Sequence, residues 1–301
     1  MVLPVVAGVD GSGSSLRAVE WAADAAARHG TPLRLLCATG PPLGEPVPGL
    51  TENAERIRDT AVAHARARAP GTEVSGGIVP EGPAEALLCA GRNAFTLVVG
   101  SHGGGGVTGM LLGSVGLAVA GRADCPVVVV RGEPDGGGPV VLGVQDERPA
   151  DESPSGVPGV EDTAEGRTAG EYAFREAHRR GRALIAVHAW RVPAGEAATA
   201  ARGGGDGGDD GDTVAGRCRI RAGRVLDEAL GPARERYPAV PVERRAVEGS
   251  ARRALLEASR DAGLLVVGAH ARRGHFGLQL GLVNHAVLHH APCPVAVVPQ
   301  A

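Results

Sequence analysis

The chain has 301 residues, a formal net charge of -3, 43% hydrophobic and only 2% aromatic residues; it is long enough for two domains of about 150 residues, each with a core of its own. A pI near 6.4 excludes the broad basic surface that nonspecific nucleic-acid binding needs, and no apolar run approaches the roughly 20 residues of a membrane span. All 31 basic residues are arginine, which excludes the Walker P-loop lysine, the protein-kinase strand lysine and Schiff-base chemistry.

With so few aromatics the interior falls to Val, Leu and Ala, a composition suited to buried parallel strands under alanine-rich helices. In chain order the first half reads as strand Val5–Val9, a glycine-rich turn, and a helix over Leu16–His29 with Val19, Ala22, Ala23 and Ala26 at helical spacing. Gly30 ends that helix, since glycine enters the left-handed region at little cost. Strand Leu33–Ala38, a Pro/Gly loop over Gly40–Gly49, helix Glu52–Ala69, strand Glu73–Val79, helix Pro83–Asn93 and strand Thr96–Val99 follow. An open glycine loop, helix Ser114–Arg122 and strand Val127–Val130 complete the half. Five strands alternating with four helices predict an α/β domain built on a parallel sheet.

The second half repeats this order. Ala7-Gly8-Val9-Asp10 aligns with Leu142-Gly143-Val144-Gln145, Leu33–Ala38 with Leu184–Ala189, and Val79 with Val247, so the offset between the halves grows twice. One insertion therefore falls within 146–167 and a second within 194–216. Both are rich in Gly, Pro, Asp and Glu, and the second contains GGGDGGDDGD, too polar to offset its ordering entropy by burial. Disorder is expected there. Neither tract has the ligand spacing of a calcium loop. The division expected is a first domain over 1–132, a linker over 133–139 (EPDGGGP) and a second domain over 140–301.

The chemistry concentrates in the first half. GSHGGGGVTGMLLGS, from Gly100 to Ser114, sets Gly100 and Gly103 nine residues ahead of Gly113-Ser114. A strand thus leads through an open loop into a helix whose N–H groups and dipole suit an anion. Ser114 at that helix start caps it or meets a phosphate. His102 either donates to a phosphate oxygen or is an exposed loop histidine. Asp10, at the carboxyl end of the first strand, lies where open parallel sheets bind ligands; it contacts a nucleoside or its metal, or closes the turn before the helix. Leu16 occupies the place of a third glycine after Gly11 and Gly13, which disfavours a dinucleotide fold.

Other clusters carry less. His285 and His289 share a helix face with His290 and Cys293 close behind, but no further ligand follows at a recognised zinc spacing, and an ordinary helix face is the better reading. Arg252-Arg253 and Arg272-Arg273 read as solvated faces before anion sites. The cysteines at 37, 89, 125, 218 and 293 contain no CxxC pair, and free thiols are expected, with Cys125 and Cys293 as buried fillers in matching places. No GxSxG or HExxH motif is present. Met1 runs straight into the apolar Val2–Val9 without the regions of a signal peptide, so a cytoplasmic protein is expected.

VVAGVDGSGSS, GSHGGGGVTGMLLGSV with CPVVVV behind it, and the counterparts VVLGVQDE and GLQLGLVNHAVLHHAPCPVAVV resemble a tandem universal stress protein. The resemblance covers nearly all of the chain apart from the linker and the insertions. It implies two doubly wound domains of the adenine nucleotide alpha hydrolase-like type, each with a five-stranded parallel sheet in order 3-2-1-4-5. It further implies an ATP- or AMP-binding stress-response protein, with or without Mg, and at most slow ATP hydrolysis; a scaffold that binds no nucleotide and recruits a protein partner is the alternative. By that resemblance Gly8, Val9 and Asp10 meet the adenosine part, Ala38 offers backbone to adenine, and Gly100, His102, Gly103, Gly113, Ser114 and Val115 hold ribose and phosphates. Gln145, Ala271 and Leu282 replace Asp10, Gly103 and Ser114 in the second half, so one competent site is expected. The last strands, Val127–Val130 and Val295–Val298, are expected to pair within the chain and hide two apolar edges, which leaves room for further dimerisation.

Overall fold

The structure is a computed structural model and describes residues 2–40, 50–102, 112–133, 136–145, 168–192, 213–270 and 280–300. In the first half β1 (Val5–Val9), α1 (Gly13–His29), β2 (Leu33–Ala38), α2 (Leu50–Arg68), β3 (Val74–Val79), α3 (Pro83–Gly91), β4 (Thr96–Gly100), α4 (Ser114–Arg122) and β5 (Val127–Val130) follow one another. The second half repeats them as β6 (Val140–Val144), α5 (Ala169–Arg180), β7 (Leu184–Trp190), α6 (Val214–Arg236), β8 (Val242–Glu248), α7 (Ala251–Ala258), β9 (Leu264–His270), α8 (Leu282–His290) and β10 (Val295–Gln300).

Several boundaries differ from the sequence reading for local reasons. α1 begins at Gly13, ahead of the apolar spacing, because the Ser12 hydroxyl accepts from Ser15 N–H at 3.1 Å and caps the helix. It ends at Gly30 with φ 64, as expected. α3 stops at Gly91 and not Asn93, the chain tightening through an Asn93 N–H bond to Ala90 O. The first insertion and most of the second lie outside the described residues, but the end of the second is helical: Thr213 caps α6 by accepting from Gly216 N–H at 2.9 Å.

All ten strands form one sheet in the order β3-β2-β1-β4-β5-β10-β9-β6-β7-β8. Each half is thus a parallel 3-2-1-4-5 sheet, and the halves join through one antiparallel pair. There Val127, Val128 and Val129 lie opposite Val297, Ala296 and Val295, as the two valine runs led one to expect. The strands at this junction are buried on both faces, which is why they are continuous apolar runs rather than alternating ones. The outer strand β8 instead carries Glu243, Arg244 and Arg245, charges that discourage pairing with another chain.

Two apolar layers cover the sheet. One packs α1, α2, α5 and α6 on one face, and the other packs α3, α4, α7 and α8 on the opposite face. Across the junction α1 meets α5 through polar groups that no local pattern signals. His29 Nε2 donates to Glu176 Oε1 at 2.6 Å, Arg180 Nε donates to Glu176 Oε2 at 3.0 Å, and the Arg175 guanidinium lies 4.7 Å from the Phe95 ring centre.

All five cysteines are free thiols. Burial pushes the Cys293 thiol up to about 12, and burial followed by the Asp10 carboxylate pushes Cys37 up as well. Of the five, only Cys89 is exposed, and Cys218 is half-buried. Iodoacetamide is therefore expected to label Cys89 first in the folded chain and Cys37, Cys125 and Cys293 only after unfolding. Peptide mass mapping checks this, and early labelling of Cys293 would contradict its burial.

Candidate functional site

At the carboxyl ends of β1, β2 and β4 a cavity of about 540 Å³ opens beside the point where the strand order reverses between β1 and β4. Gly8, Val9 and Asp10 reach it from the end of β1, Ala38 from β2, Gly100 and His102 from β4 and its exit, and Gly113, Ser114 and Val115 from the start of α4. Nine of the ten residues singled out from the sequence thus line one space. Gly103, the tenth, lies outside the described residues.

Backbone order explains each placement. Asp10 leaves β1 and its Oδ1 accepts from Ser12 N–H at 2.9 Å, so the carboxylate closes the turn before α1 and also borders the cavity. The turn-closing reading of Asp10 thus holds, while the residue also lines the cavity. His102 is half-buried, not an exposed loop histidine: its N–H donates to Ser14 Oγ at 3.2 Å and its Nδ1 lies 2.9 Å from Ser101 Oγ. Gly100 has a packing reason to be glycine, since a Cβ there would come within 2.6 Å of Ser14 Oγ and 2.7 Å of its backbone. The tight approach of α1 to β4 requires that missing side chain.

The start of α4 carries the electrostatics. Gly113 is the N-cap and makes no side-chain cap bond, so Ser114 sits inside the first turn and does not cap it. Gly113 N–H donates to Ser101 O at 2.9 Å, which pins the entrance of the helix to the end of β4. Ser114, Val115 and Gly116 of the first turn line the cavity, and Gly113 at the N-cap offers no side-chain oxygen to its amides, an arrangement suited to an anion. Leu36, Pro83, Ala86, Leu87 and Val99 supply apolar walls deeper in, enough for a flat heterocycle. The sequence reading missed this wall, because its residues look like ordinary core until the sheet turns them toward one opening.

The universal stress protein family model matches residues 1–131 and 157–299. A universal stress protein of Mycolicibacterium smegmatis is 34% identical, over 98% of this chain and 96% of its own length. The chain belongs to the universal stress protein family. The crystal structure of a universal stress protein from Archaeoglobus fulgidus covers 99% of this chain and 98% of its own, with a TM-score of 0.69 and 18% identity, a likeness of fold. A universal stress protein solved in complex with cAMP covers 43% of this chain and 98% of its own, at 30% identity and a TM-score of 0.35.

The second universal stress protein repeat has a smaller space in the corresponding place, about 200 Å³, lined among others by Gly143, Gln145, His188 and Asn284. Asn284 stands where the first repeat has Gly116, and its Nδ2 donates to Gly268 O at 3.0 Å, filling the ground between β9 and α8. Leu282, in the place of Ser114, is 90% exposed and offers no hydroxyl. Ala271 lies outside the described residues. Asn284 is a structural difference between the repeats that the glycine spacing alone did not reveal, although the Gly116-to-Asn change was there to be read.

Among the described residues no three His, Cys, Asp or Glu side chains group as a metal site. The His285 and His289 rings stack at 6.1 Å, and His289 Nδ1 is taken by the Leu112 N–H at 3.2 Å. None of the described helices is long and apolar enough to cross a membrane.

Proposed function

We propose that the chain binds ATP or AMP, with or without Mg, in the cavity of its first half and acts as a nucleotide-dependent stress-response regulator in the cytoplasm. The division of labour follows the expected domains, 1–132 carrying the nucleotide and 140–301, beyond the linker, carrying none. In this reading Gly8, Val9 and Asp10 meet the nucleoside and Ala38 the base, while Gly100, His102, Gly103, Gly113, Ser114 and Val115 meet ribose and phosphates.

The observation that carries the reading is that the start of α4, whose N-cap is a glycine without a capping side chain, lines an apolar-walled cavity. In a chain without lysine, backbone amides and the helix dipole are the means of holding phosphate there. The same lack of a lysine leaves little to stabilise charge moving onto a leaving group, so hydrolysis is at most slow and nucleotide occupancy is the signal. A protein partner then reads that occupancy.

Calorimetry of the full chain with ATP, Mg-ATP and AMP tests this. Saturable binding at one site per chain is expected, weakened at least about tenfold by Gly113→Val. Gly113 has φ -63 and ψ 152, which valine also adopts, so the fold should tolerate the change while a branched side chain enters the lip. No heat from the wild-type chain at about millimolar nucleotide would overturn the reading and leave the partner-recruiting scaffold in its place.

A further inference from the structure

We propose that His289, carried by the second half, is a positioning residue for the nucleotide site of the first half: its ring holds the Leu112 amide, and nucleotide affinity falls when that ring takes up a proton. The proposal rests on the reading of the cavity given above.

Leu112 is 7% exposed and lines the cavity, and the next residue is the N-cap of α4. Two successive amides fix this entrance from opposite sides. Gly113 N–H donates to Ser101 O within its own half, and Leu112 N–H donates to His289 Nδ1, 3.2 Å away on α8 of the other half. The direction in which the α4 amides point is therefore set partly from outside the domain that contains them. The support is itself braced, because Arg131, just past β5, donates from Nε to Ala291 O at 3.2 Å and from Nη1 to Leu288 O at 3.0 Å. The end of α8 is thereby tied to the first half close to His289.

The two halves are not equivalent in this respect. By the repeat, Leu280 corresponds to Leu112 and Gly121 to His289. Gly121 has no side chain with which to accept the Leu280 amide. The contact that His289 makes with the first half thus has no counterpart from the matching residue of the first half.

Accepting an N–H at Nδ1 requires the lone pair there and the proton on Nε2. A protonated ring would set an N–H against the Leu112 N–H, and the contact would open. The groups around the ring oppose that proton: burial first, then His285 and His290 on its own helix, and Arg131 from the end of β5, all of which hold His289 below the ordinary histidine value. Arg252, Arg253 and Glu257 on the neighbouring α7, and Arg260 just past it, share a groove with His290 that His289 does not line. At neutral pH the ring is thus the neutral acceptor. Acidification through its lowered value removes the hydrogen bond, and because His289 does not line the cavity its new charge acts on phosphate only at a distance, screened by salt.

The test compares nucleotide binding by the full wild-type chain with His289→Phe and His289→Gln at about pH 8 and at a pH below the midpoint at which the His289 ring signal itself titrates in the nucleotide-free protein. The Phe variant is expected to bind ATP roughly threefold to tenfold more weakly than wild type at the higher pH and to match it at the lower. The Gln variant, whose carbonyl accepts without titrating, restores affinity and holds it relative to wild type as the pH falls. In the nucleotide-free protein the Leu112 amide NMR signal should move with the titration of the His289 ring. Normal binding with a Leu112 signal unmoved by that titration, or wild-type affinity that rises on acidification relative to the Phe variant, overturns the role of His289. No binding by wild type at the higher pH overturns the nucleotide reading itself, and a Leu112 signal that still follows the ring separates that failure from this one.

Discussion

Glu176→Ala is expected to lower the unfolding free energy by about 3–5 kcal/mol, one of the largest effects of any single substitution in the chain. The Glu176 side chain is 1% exposed and stands between His29 of α1, also nearly buried, and Arg180 of α5. Burial alone would push its carboxyl up. The hydrogen bond from His29 and the charge of Arg180 outweigh that and hold it down at about 2. Removal of the carboxylate leaves a buried guanidinium and an imidazole facing an empty corner of the α1–α5 contact, so the loss exceeds that of one hydrogen bond.

The same group makes stability depend on pH, with a definite sign. Its carboxyl lies lower in the folded chain than the ordinary 4.5, so its stabilisation is complete above that ordinary value and disappears as the pH falls toward about 2. The gap corresponds to roughly 3 kcal/mol. Urea unfolding at several pH values should therefore show the wild type and Glu176→Ala far apart near neutrality and converging in acid. A difference that stays constant with pH, or an alanine variant as stable as wild type, contradicts this account.

Val128→Asp is expected to cost at least about 4 kcal/mol and to unfold both halves together. Val128 is fully buried and lies opposite Ala296 in the antiparallel pair that joins the two sheets. A carboxylate there would sit in an apolar cluster on its side of the sheet, so it either remains charged at a high cost or is protonated and still displaces packing. Val128→Ala, which removes methyl groups without adding charge, should cost about 2 kcal/mol or less and serves as the control. Unfolding followed by circular dichroism should show a single, much earlier transition for the Asp variant. A wild-type midpoint would mean that the halves are not joined through these strands.

Much of the candidate site was legible before any coordinates, and the reason is geometric. In a doubly wound sheet every strand ends at the same edge, so Asp10 after β1, Ala38 at the end of β2 and Gly100 after β4 converge wherever the element order is right. The glycine spacing between 100 and 113 marked a loop followed by a helix entrance by the same local logic. Details of partnership came from the structure: Ser114 does not cap α4, His102 is half-buried against two serine hydroxyls rather than an exposed loop histidine, and Gly100 leaves room for the close approach of Ser14.

By itself the sequence determined the order of strands and helices, the doubling of the unit, the family, and the valine runs that meet at the centre of the sheet. These follow from periodicity and composition over neighbouring residues, where each side chain's preference is set by the backbone beside it. Only the tertiary structure decided that Glu176 faces His29 across 147 positions, that Leu112 is held by His289 across 177, and that Asn284 occupies the second cavity. Such contacts arise when two halves fold against each other, and nothing in the local preference of either partner encodes the other's position. The pairing of distant polar groups is selected by the desolvation that packing imposes on them, and that term comes into existence only once the sheet has brought them together.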